Sequence, residues 1–213
     1  MITFILTSCN RADLLNRTLT SFFKTNIFPI ERFIVHDDGY NEEVINMIKE
    51  NWSFIEVIGT KERVGLAKSF ERLMNEVKTE WVFSCEDDWH FTGNRHFIYH
   101  SYVIMKDKPD VKQVWVRNEN DHQHPLDRKE GIDGIFYKKL KKGYLGVWGG
   151  FSLNPTLRRT SDYHYYFPNG MAAVGSEQEC SIHVEKLGYQ AVSLVSYACK
   201  HIGWNRHTEN FIH

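Results

Sequence analysis

The chain has 213 residues, 42% of them hydrophobic, and a formal net charge of −1. This length suits one domain with a substantial core, and the near-neutral charge excludes a global attraction to nucleic acid or an anionic membrane, although local basic clusters can still bind phosphates. No apolar run reaches the roughly 18 residues of a membrane span, and the N-terminus lacks the basic segment of a signal peptide. We therefore expect a cytoplasmic protein without a transmembrane segment. Its four cysteines show no CxxC pair and no dense framework, so we expect reduced, mostly buried thiols, with a structural disulfide as the minor alternative.

Apolar runs alternate with helical patterns through the first part of the chain. The runs predict four buried strands, at Thr3–Ser8, Arg32–His36, Phe54–Ile58 and Trp81–Cys85. Apolar residues at helical spacing predict three helices between them, at 14–23, 42–50 and 66–77. Asn10 with Asp13 is predicted to cap the first helix. Strands separated by helices favour an α/β fold with a mainly parallel central sheet flanked by helices.

The alternation weakens after about residue 117. The polar segment Asn118–Gly131 is predicted to be a loop, and Gly134–Leu140 a strand. A helix is expected at Ser176–Leu187 and a last strand at Ala191–Tyr197. We treat residues 1–213 as one domain made of two halves, 1–117 and 118–213.

Acids and hydroxyls follow the predicted strands directly. Thr7 and Ser8 end the first strand, Asp37 and Asp38 follow the second, and Glu86-Asp87-Asp88 follows the fourth. Ligands of parallel sheets bind beyond the carboxyl ends of the strands, so these side chains are expected to converge. Adjacent carboxylates suit Mg²⁺ or Mn²⁺, which also bind diphosphate oxygens. The alternative is a solvated acidic turn, and Asp37-Asp38-Gly39 is also a good turn signal.

Five motifs in order resemble a GT-A fold glycosyltransferase of the inverting family 2 type. They are Ile5–Arg11, Asp37–Gly39, Arg63–Ser69, Glu86–Asp88, and Gly175–Glu179 followed by Gly188-Tyr189. The resemblance implies a nucleotide-sugar-binding half at 1–117, an acceptor-binding half at 118–213, and a UDP-sugar donor.

The resemblance also implies roles for individual residues. Thr7, Ser8 and Arg11 would line the nucleotide pocket, and Asp37 or Asp38 would bind the base. Arg63, Gly65 and Lys68 would lie near the base and ribose. Asp88 would be the main ligand of Mn²⁺ or Mg²⁺, with Glu86 facing the ribose or sugar and Asp87 sharing the donor site. The chain reads EDD where the family pattern is DxD, so the division among these three acids stays open. His201, after the last predicted strand, would be a second metal ligand.

The catalytic base is expected near the start of the helix at 176–187. Ser176 and Glu179 have the spacing of a capping box, which explains Glu179 structurally. Glu177 does not belong to the capping box, and the resemblance implies that an acid in this position deprotonates the acceptor hydroxyl. A helix N-terminus favours the ionised carboxylate. Asp121 is a weaker candidate.

Acceptor binding is assigned to a segment of glycines and aromatic residues. Trp148, Gly149 and Gly150 combine close backbone approach with an aromatic face on which a sugar can stack, although a bulge in a strand is an equal alternative. The expected function is metal-dependent transfer of a sugar to an acceptor hydroxyl, with inversion. A sugar nucleotidyltransferase and a non-catalytic nucleotide-sugar-binding module are the alternatives, and the first is disfavoured because residues 9–13 contain no glycine.

Overall fold

A computed structural model of the chain describes residues 1–143, 145 and 150–206. These residues form a nine-stranded sheet, a two-stranded sheet and six α-helices. The strands are β1 Ile2–Ser8, β2 Arg32–Asp38, β3 Glu56–Thr60, β4 Trp81–Glu86, β5 Trp89–Phe91, β6 Val111–Trp115, β7 Leu126–Ile132, β8 Ile135–Leu140, β9 Thr156–Arg159, β10 Gln190–Leu194 and β11 Cys199–His201. The helices are α1 Ala12–Thr25, α2 Glu42–Asn51, α3 Leu66–Glu76, α4 Phe97–Asp107, α5 Thr160–Tyr166 and α6 Glu177–Lys186. The predicted α/β class with helices flanking a central sheet is confirmed.

The large sheet has the order β3-β2-β1-β4-β9-β6-β10-β8-β7. Its first four strands are parallel, and β9 runs antiparallel to both of its neighbours. The reversal at β9 gives β6 the direction of β4, and β10 is parallel to β6. The carboxyl ends of these six strands therefore lie along one edge of the sheet, which we call the rim, and β7, antiparallel to β8 and thus parallel to β10, ends there as well. Strand β9, from the predicted second half, lies between two strands of the first, so both halves share one sheet.

Helices cover both faces of the sheet. Successive strand residues point to opposite sides, so one strand contributes side chains to the apolar clusters on both faces. Phe4 and Leu6 of β1 belong to the apolar cluster under α1, α2 and α4. Ile5 belongs to the cluster under α3, α5 and α6. Both faces of β1 are thus buried, which explains its uninterrupted apolar sequence.

Several details differ from the sequence predictions, among them the last predicted strand, Ala191–Tyr197, which is observed at Gln190–Leu194. The segment predicted as the loop 118–131 contains β7, which pairs with β8 through a turn at Asp133 and Gly134. Both turn residues have positive φ, as Asp-Gly hairpin turns require, and β7 is polar because it is an edge strand. Helix α1 begins after Arg11 without a side-chain cap, and Asn10 has a φ of 55°, so the predicted cap was wrong. Strand β3 begins two residues later than predicted.

The two-stranded sheet joins distant parts of the chain at the rim. Strand β5 follows the acidic cluster, and β11 pairs with it in antiparallel register, with His201 opposite Trp89. The four cysteines are free thiols, and all but Cys9 are buried. None of the described helices has the length and apolar character needed to cross a bilayer.

Candidate functional site at the rim of the sheet

Asp88 is buried at the rim just after β4. Its Oδ2 accepts a hydrogen bond from Arg11 Nη1 at 3.1 Å and lies 3.3 Å from His201 Nε2. Its other oxygen, Oδ1, is buried and has no hydrogen-bond partner among the described residues. Burial would raise the pKa of this carboxyl, but the hydrogen bond with His201 and the charge of Arg11 outweigh burial, so the pKa lies below its ordinary value. Asp88 is therefore an ionised carboxylate with one uncommitted oxygen.

Asp87 lies beneath the rim and is 0% exposed. Its carboxylate accepts hydrogen bonds from Ser8 Oγ at 3.0 Å and from both Nε and Nη2 of Arg11. Burial raises the pKa of Asp87 to about 6 against the opposing charge of Arg11. Because these bonds occupy its oxygens, Asp87 positions Arg11, and a direct contact with a donor would require Arg11 to move. The neighbouring Thr7 is also buried.

Glu86 is the half-buried member of the acidic cluster and lies opposite Thr7 in the pairing of β4 with β1. Burial raises the pKa of Glu86 well above its ordinary value, and the charges of Asp88 and Glu177 add to this effect. The electrostatic interaction with Glu177 is informative, since Glu177 is distant in sequence. It indicates that the predicted base lies in the same part of the rim as the predicted metal-binding acids.

The carboxylates of Asp37 and Asp38 hold loops together at the ends of β2. Asp37 accepts hydrogen bonds from the backbone amides of Asn10 at 3.1 Å and Asn41 at 2.7 Å. Asp38 accepts hydrogen bonds from the backbone amides of Val64 at 2.7 Å and Gly65 at 3.0 Å. Both side chains are buried and engaged by the protein itself. A contact of either with a nucleotide base stays a prediction, and the observed role is to position the segment before α3.

Arg63, Gly65 and Lys68 are exposed at the N-terminus of α3. Gly65 has a φ of 83° and no atom near the position that a Cβ would occupy, so the chain turns here with open space in front of it. The first turn of α3 contains no acidic side chain. Exposed basic residues at a helix N-terminus are suited to phosphate oxygens, because the helix dipole also favours negative charge there.

His201 is held against Asp88 by backbone contacts on both sides. Its amide donates to Asp121 Oδ2 at 2.9 Å, and the amide of Ile202 donates to the carbonyl of Asp88 at 2.8 Å. Gly203 then crosses directly in front of the carboxylate: a Cβ on Gly203 would lie 2.4 Å from Asp88 Oδ2 and 2.7 Å from Asp88 Cβ. Only glycine fits at this position. Asp121 thus supports His201 in this structure.

The donor atoms at the rim fit a divalent cation. A carboxylate oxygen of Asp88 without a partner and the imidazole of His201 form a mixed O/N pair, which suits Mn²⁺ better than Mg²⁺. Within the described residues, no group of three or more His, Cys, Asp or Glu side chains is placed to hold a metal. The protein would therefore supply two ligands and leave the remaining positions to phosphate oxygens and water, as is common for such ions at phosphate sites.

Glu177 is the first residue of α6, and the capping box of Ser176 with Glu179 is present as predicted. Glu177 Oε1 accepts the backbone amide of Leu153 at 2.8 Å. Burial raises the pKa of Glu177, although this hydrogen bond and the charges of Arg158 and Arg117 oppose the shift. The helix dipole favours the ionised form, as expected from the sequence, and burial acts in the opposite direction. A raised pKa makes the carboxylate a stronger base once it is ionised.

Arg117 is a buried cation that the sequence analysis missed. Its Nη1 donates to Asn154 Oδ1 at 2.8 Å, its Nη2 donates to the carbonyl of Asp121 at 2.6 Å, and its guanidinium lies 4.9 Å from the centre of the Trp89 ring. Burial lowers the pKa of Arg117, while Asp121, Glu86 and other acids raise it. Arg117 follows β6, a strand that was not predicted, and the rule that residues beyond a strand's carboxyl end face the site would have found it.

The segment 152–154 connects this cation to the base. The carbonyl of Ser152 accepts hydrogen bonds from Gln113 Nε2 at 2.6 Å and Arg158 Nη2 at 3.0 Å. The backbone amide of the next residue, Leu153, donates the hydrogen bond that Glu177 accepts. Buried side chains thus fix the backbone that holds Glu177 in place.

The predicted acceptor segment is only partly described. Gly150 is buried with a φ of 104°, and a Cβ there would lie 3.4 Å from the Cβ of Ala191 on β10. Trp148 and Gly149 lie outside the described residues.

Comparisons with known proteins agree with this arrangement. Residues 3–164 match the family model described as Glycosyl transferase family 2. No curated protein sequence matches the chain. Among solved structures, S. aureus TarS 1-349 in complex with UDP-GlcNAc is 12% identical with a TM-score of 0.67, covering 98% of this chain and 60% of that one. The mannosyltransferase PcManGT from Pyrobaculum calidifontis, in complex with GDP-Man and Mn²⁺, is 15% identical with a TM-score of 0.65, covering 96% and 57%. At these identities the structures show a shared fold, the GT-A fold, and the chain spans about three fifths of their length.

Proposed function

The chain belongs to glycosyl transferase family 2, and on that premise we propose that it transfers a sugar from a nucleotide-sugar to an acceptor hydroxyl, with inversion and with a divalent metal. The observation that carries the proposal is a continuous series of contacts between the two ends of the site. Glu177 accepts a hydrogen bond from the amide of Leu153. The following residue, Asn154, is hydrogen-bonded to Arg117, and Arg117 is hydrogen-bonded to Asp121.

Asp121 completes the series. Its carboxylate accepts the amide of His201, whose ring contacts Asp88. A base and a pair of metal ligands are thereby held on one rigid frame, as a displacement reaction with a negatively charged leaving group requires.

In the proposed reaction, Glu177 accepts the proton of the acceptor hydroxyl while the hydroxyl oxygen attacks the anomeric carbon. The new carbon–oxygen bond forms as the bond to the diphosphate breaks, and the nucleoside diphosphate leaves with the electron pair. When bound, the cation held by Asp88 and His201 would neutralise the charge that develops on the diphosphate. The single displacement inverts the anomeric configuration.

A UDP-sugar is the proposed donor. The resemblance in the donor half and the complex of TarS with UDP-GlcNAc support this choice, whereas the PcManGT complex contains GDP-Man. The exposed residues Arg63, Gly65 and Lys68 would contact the nucleotide, and Arg11 would contact it after releasing Asp88. Trp148, Gly149 and Gly150 remain the proposed acceptor contacts.

A test should separate donor recognition from chemistry. We expect a UDP-sugar with Mn²⁺ to raise the melting temperature, because a ligand that binds only the native state stabilises it. We also expect slow release of free sugar and UDP from that donor without an acceptor. Release of pyrophosphate from a nucleoside triphosphate and a sugar phosphate would instead identify a nucleotidyltransferase. Stabilisation without either release, under conditions that bind the metal, would indicate the non-catalytic module.

A further inference from the structure

The sheet of β5 and β11 has an outward side that is positively charged. Trp89, Phe91 and Cys199 point into the core and are buried. His90 and Lys200 lie opposite each other in the pairing and are half-buried and exposed, respectively. Because strand side chains alternate in direction, both point away from the core on the same side.

Helix α1 extends this charged side. The amide of Trp89 donates to Thr18 Oγ1 at 3.1 Å, which fixes α1 beside β5. Arg17 precedes this contact, and Lys24 lies two turns further along the helix; both are exposed. Burial lowers the pKa of His90, and the charges of Lys200, Arg17 and Lys24 lower it further, in agreement with their proximity.

An apolar groove adjoins these cations. Arg95 Nε donates to the carbonyl of Thr25 at the end of α1, and the groove begins there. It encloses about 320 Å³ between the end of α1 and the start of α4. Its lining residues are Ile27, Phe28, Pro29, His96 and Tyr99. Ile27 is 46% exposed and Tyr99 50% exposed, so large apolar side chains face solvent beside the cations.

The three segments that build this side contain no acidic residue. Residues 14–30, 89–106 and 187–206 include none of the chain's 27 Asp and Glu residues. They include six Lys and Arg residues: Arg17, Lys24, Arg95, Lys106, Lys200 and Arg206. In a chain with a net charge of −1, such a distribution produces a local positive field that the total charge hides. We call the surface formed by Arg17, Lys24, Arg95, Lys200 and the groove the basic face.

We propose that the basic face docks on the surface of a bilayer that contains anionic phospholipids. Basic side chains are attracted to anionic headgroups, and partly exposed aromatic and aliphatic side chains enter the interfacial region. A single-stranded nucleic acid would also be attracted by the cations, but its bases require a series of exposed aromatic platforms. Of the residues that line the groove, Tyr99 is the one with a large aromatic ring that is exposed. Because no described helix can cross a bilayer, the contact would be peripheral.

The experiment is flotation of the full chain with vesicles of phosphatidylcholine alone or with phosphatidylglycerol added. We expect binding to the anionic vesicles only, weakened by salt. Arg17→Glu with Lys24→Glu should reduce the apparent affinity at least tenfold. The matched control, Lys49→Glu with Lys186→Glu, makes the same charge change at exposed positions of α2 and α6 and should bind as the wild type does.

The groove is tested separately by Ile27→Ser with Tyr99→Ser, which keeps every charge and should weaken binding severalfold. Circular dichroism establishes that each variant is folded. Equal losses for the two charge-reversed pairs would overturn the proposal, since binding would then follow net charge. Absence of vesicle binding by the wild type would overturn it, and so would tighter binding to a single-stranded oligonucleotide than to anionic vesicles at the same ionic strength. None of these measurements requires a donor or turnover, so the result is independent of the proposed function.

Discussion

Asp88 and His201 meet across the antiparallel pair β5 and β11, with His201 Nε2 3.3 Å from Asp88 Oδ2. Asp88 lies between β4 and β5, and His201 is the last residue of β11. Their contact leaves Asp88 Oδ1 unpaired, and that oxygen is the proposed ligand of a cation.

Removal of Asp88 should abolish the proposed metal site. We expect Asp88→Asn to eliminate turnover and the Mn²⁺-dependent part of donor binding, because the amide is a weak ligand and no other described carboxylate presents an unpaired buried oxygen at the rim. Calorimetric titration of Mn²⁺ with donor measures this. Unchanged metal-dependent binding by a folded variant would exclude Asp88 as the ligand.

Replacement of His201 should change the metal preference. Imidazole is a better ligand for Mn²⁺ than for Mg²⁺, so His201→Ala should weaken binding of Mn²⁺ more than binding of Mg²⁺. His164→Ala, at an exposed position far along the chain in α5, serves as the control and should alter neither. If the ratio of the two affinities is the same in His201→Ala as in the wild type, the carboxylate acts without His201.

Glu177→Gln tests the base. The substitution keeps the shape and removes the proton acceptor, so we expect kcat to fall by about 10²–10⁴ with donor affinity nearly unchanged. In the wild type, activity should rise with pH through the raised pKa of Glu177, and the variant should lose this rise. Glu179→Gln changes the exposed capping glutamate and should lower stability slightly without that loss. The reverse result would exchange the two roles.

Arg117→Gln should separate positioning from binding. Loss of the Arg117 guanidinium removes a positive charge that lowers the pKa of Glu177, so the acid limb of the pH profile should move to higher pH. Loss of the bonds to Asn154 and Asp121 should lower kcat about tenfold to a hundredfold, with a smaller change in KM. Arg117→Lys keeps the charge and should restore the pH profile but not the full rate. Arg128→Gln, on the exposed strand β7, is the control. An unchanged pH limb in Arg117→Gln would contradict this role.

The lowered pKa of His122 should make the stability of the protein depend on pH. Burial lowers the pKa of His122 to about 4, with Arg117 and His124 adding to the effect. Below pH 6.5 the unfolded chain binds a proton that the folded chain excludes. The free energy of unfolding should therefore fall as pH decreases from about 6.5 to about 4, by at most about 3 kcal/mol from this group. His122→Asn should flatten that slope in urea titrations, whereas His164→Asn should not.

The sequence predicts the fold best where pattern and burial agree. Strand β1 and helix α2 were located within one residue, because β1 is buried on both faces and α2 begins at a capping asparagine. Helix α4 was missed, since its seven apolar residues among eleven are spread around the helix and show little helical periodicity. Strand β7 was missed for the opposite reason, because an edge strand carries polar side chains.

The candidate site likewise contains residues that the sequence could locate and contacts that it could not. The acids Glu86–Asp88 could be placed because they follow a strand directly, and the capping box isolated Glu177 from Glu179. The engagement of Asp38 with Val64, and of Asp87 with Arg11, depends on loops that are brought together only in three dimensions. The requirement for glycine at position 203 is likewise set by Asp88, a residue far away in sequence.

The pairing of β5 with β11 has a consequence for a chain that is still being synthesised. The ribosome completes Asp88 long before it completes His201, so an emerging chain has the carboxylate without the imidazole and without Gly203 to cover it. Arg11 is already present during this interval and can neutralise the acidic cluster. The two proposed metal ligands therefore come together only after the chain through Gly203 has been made and β11 has paired with β5.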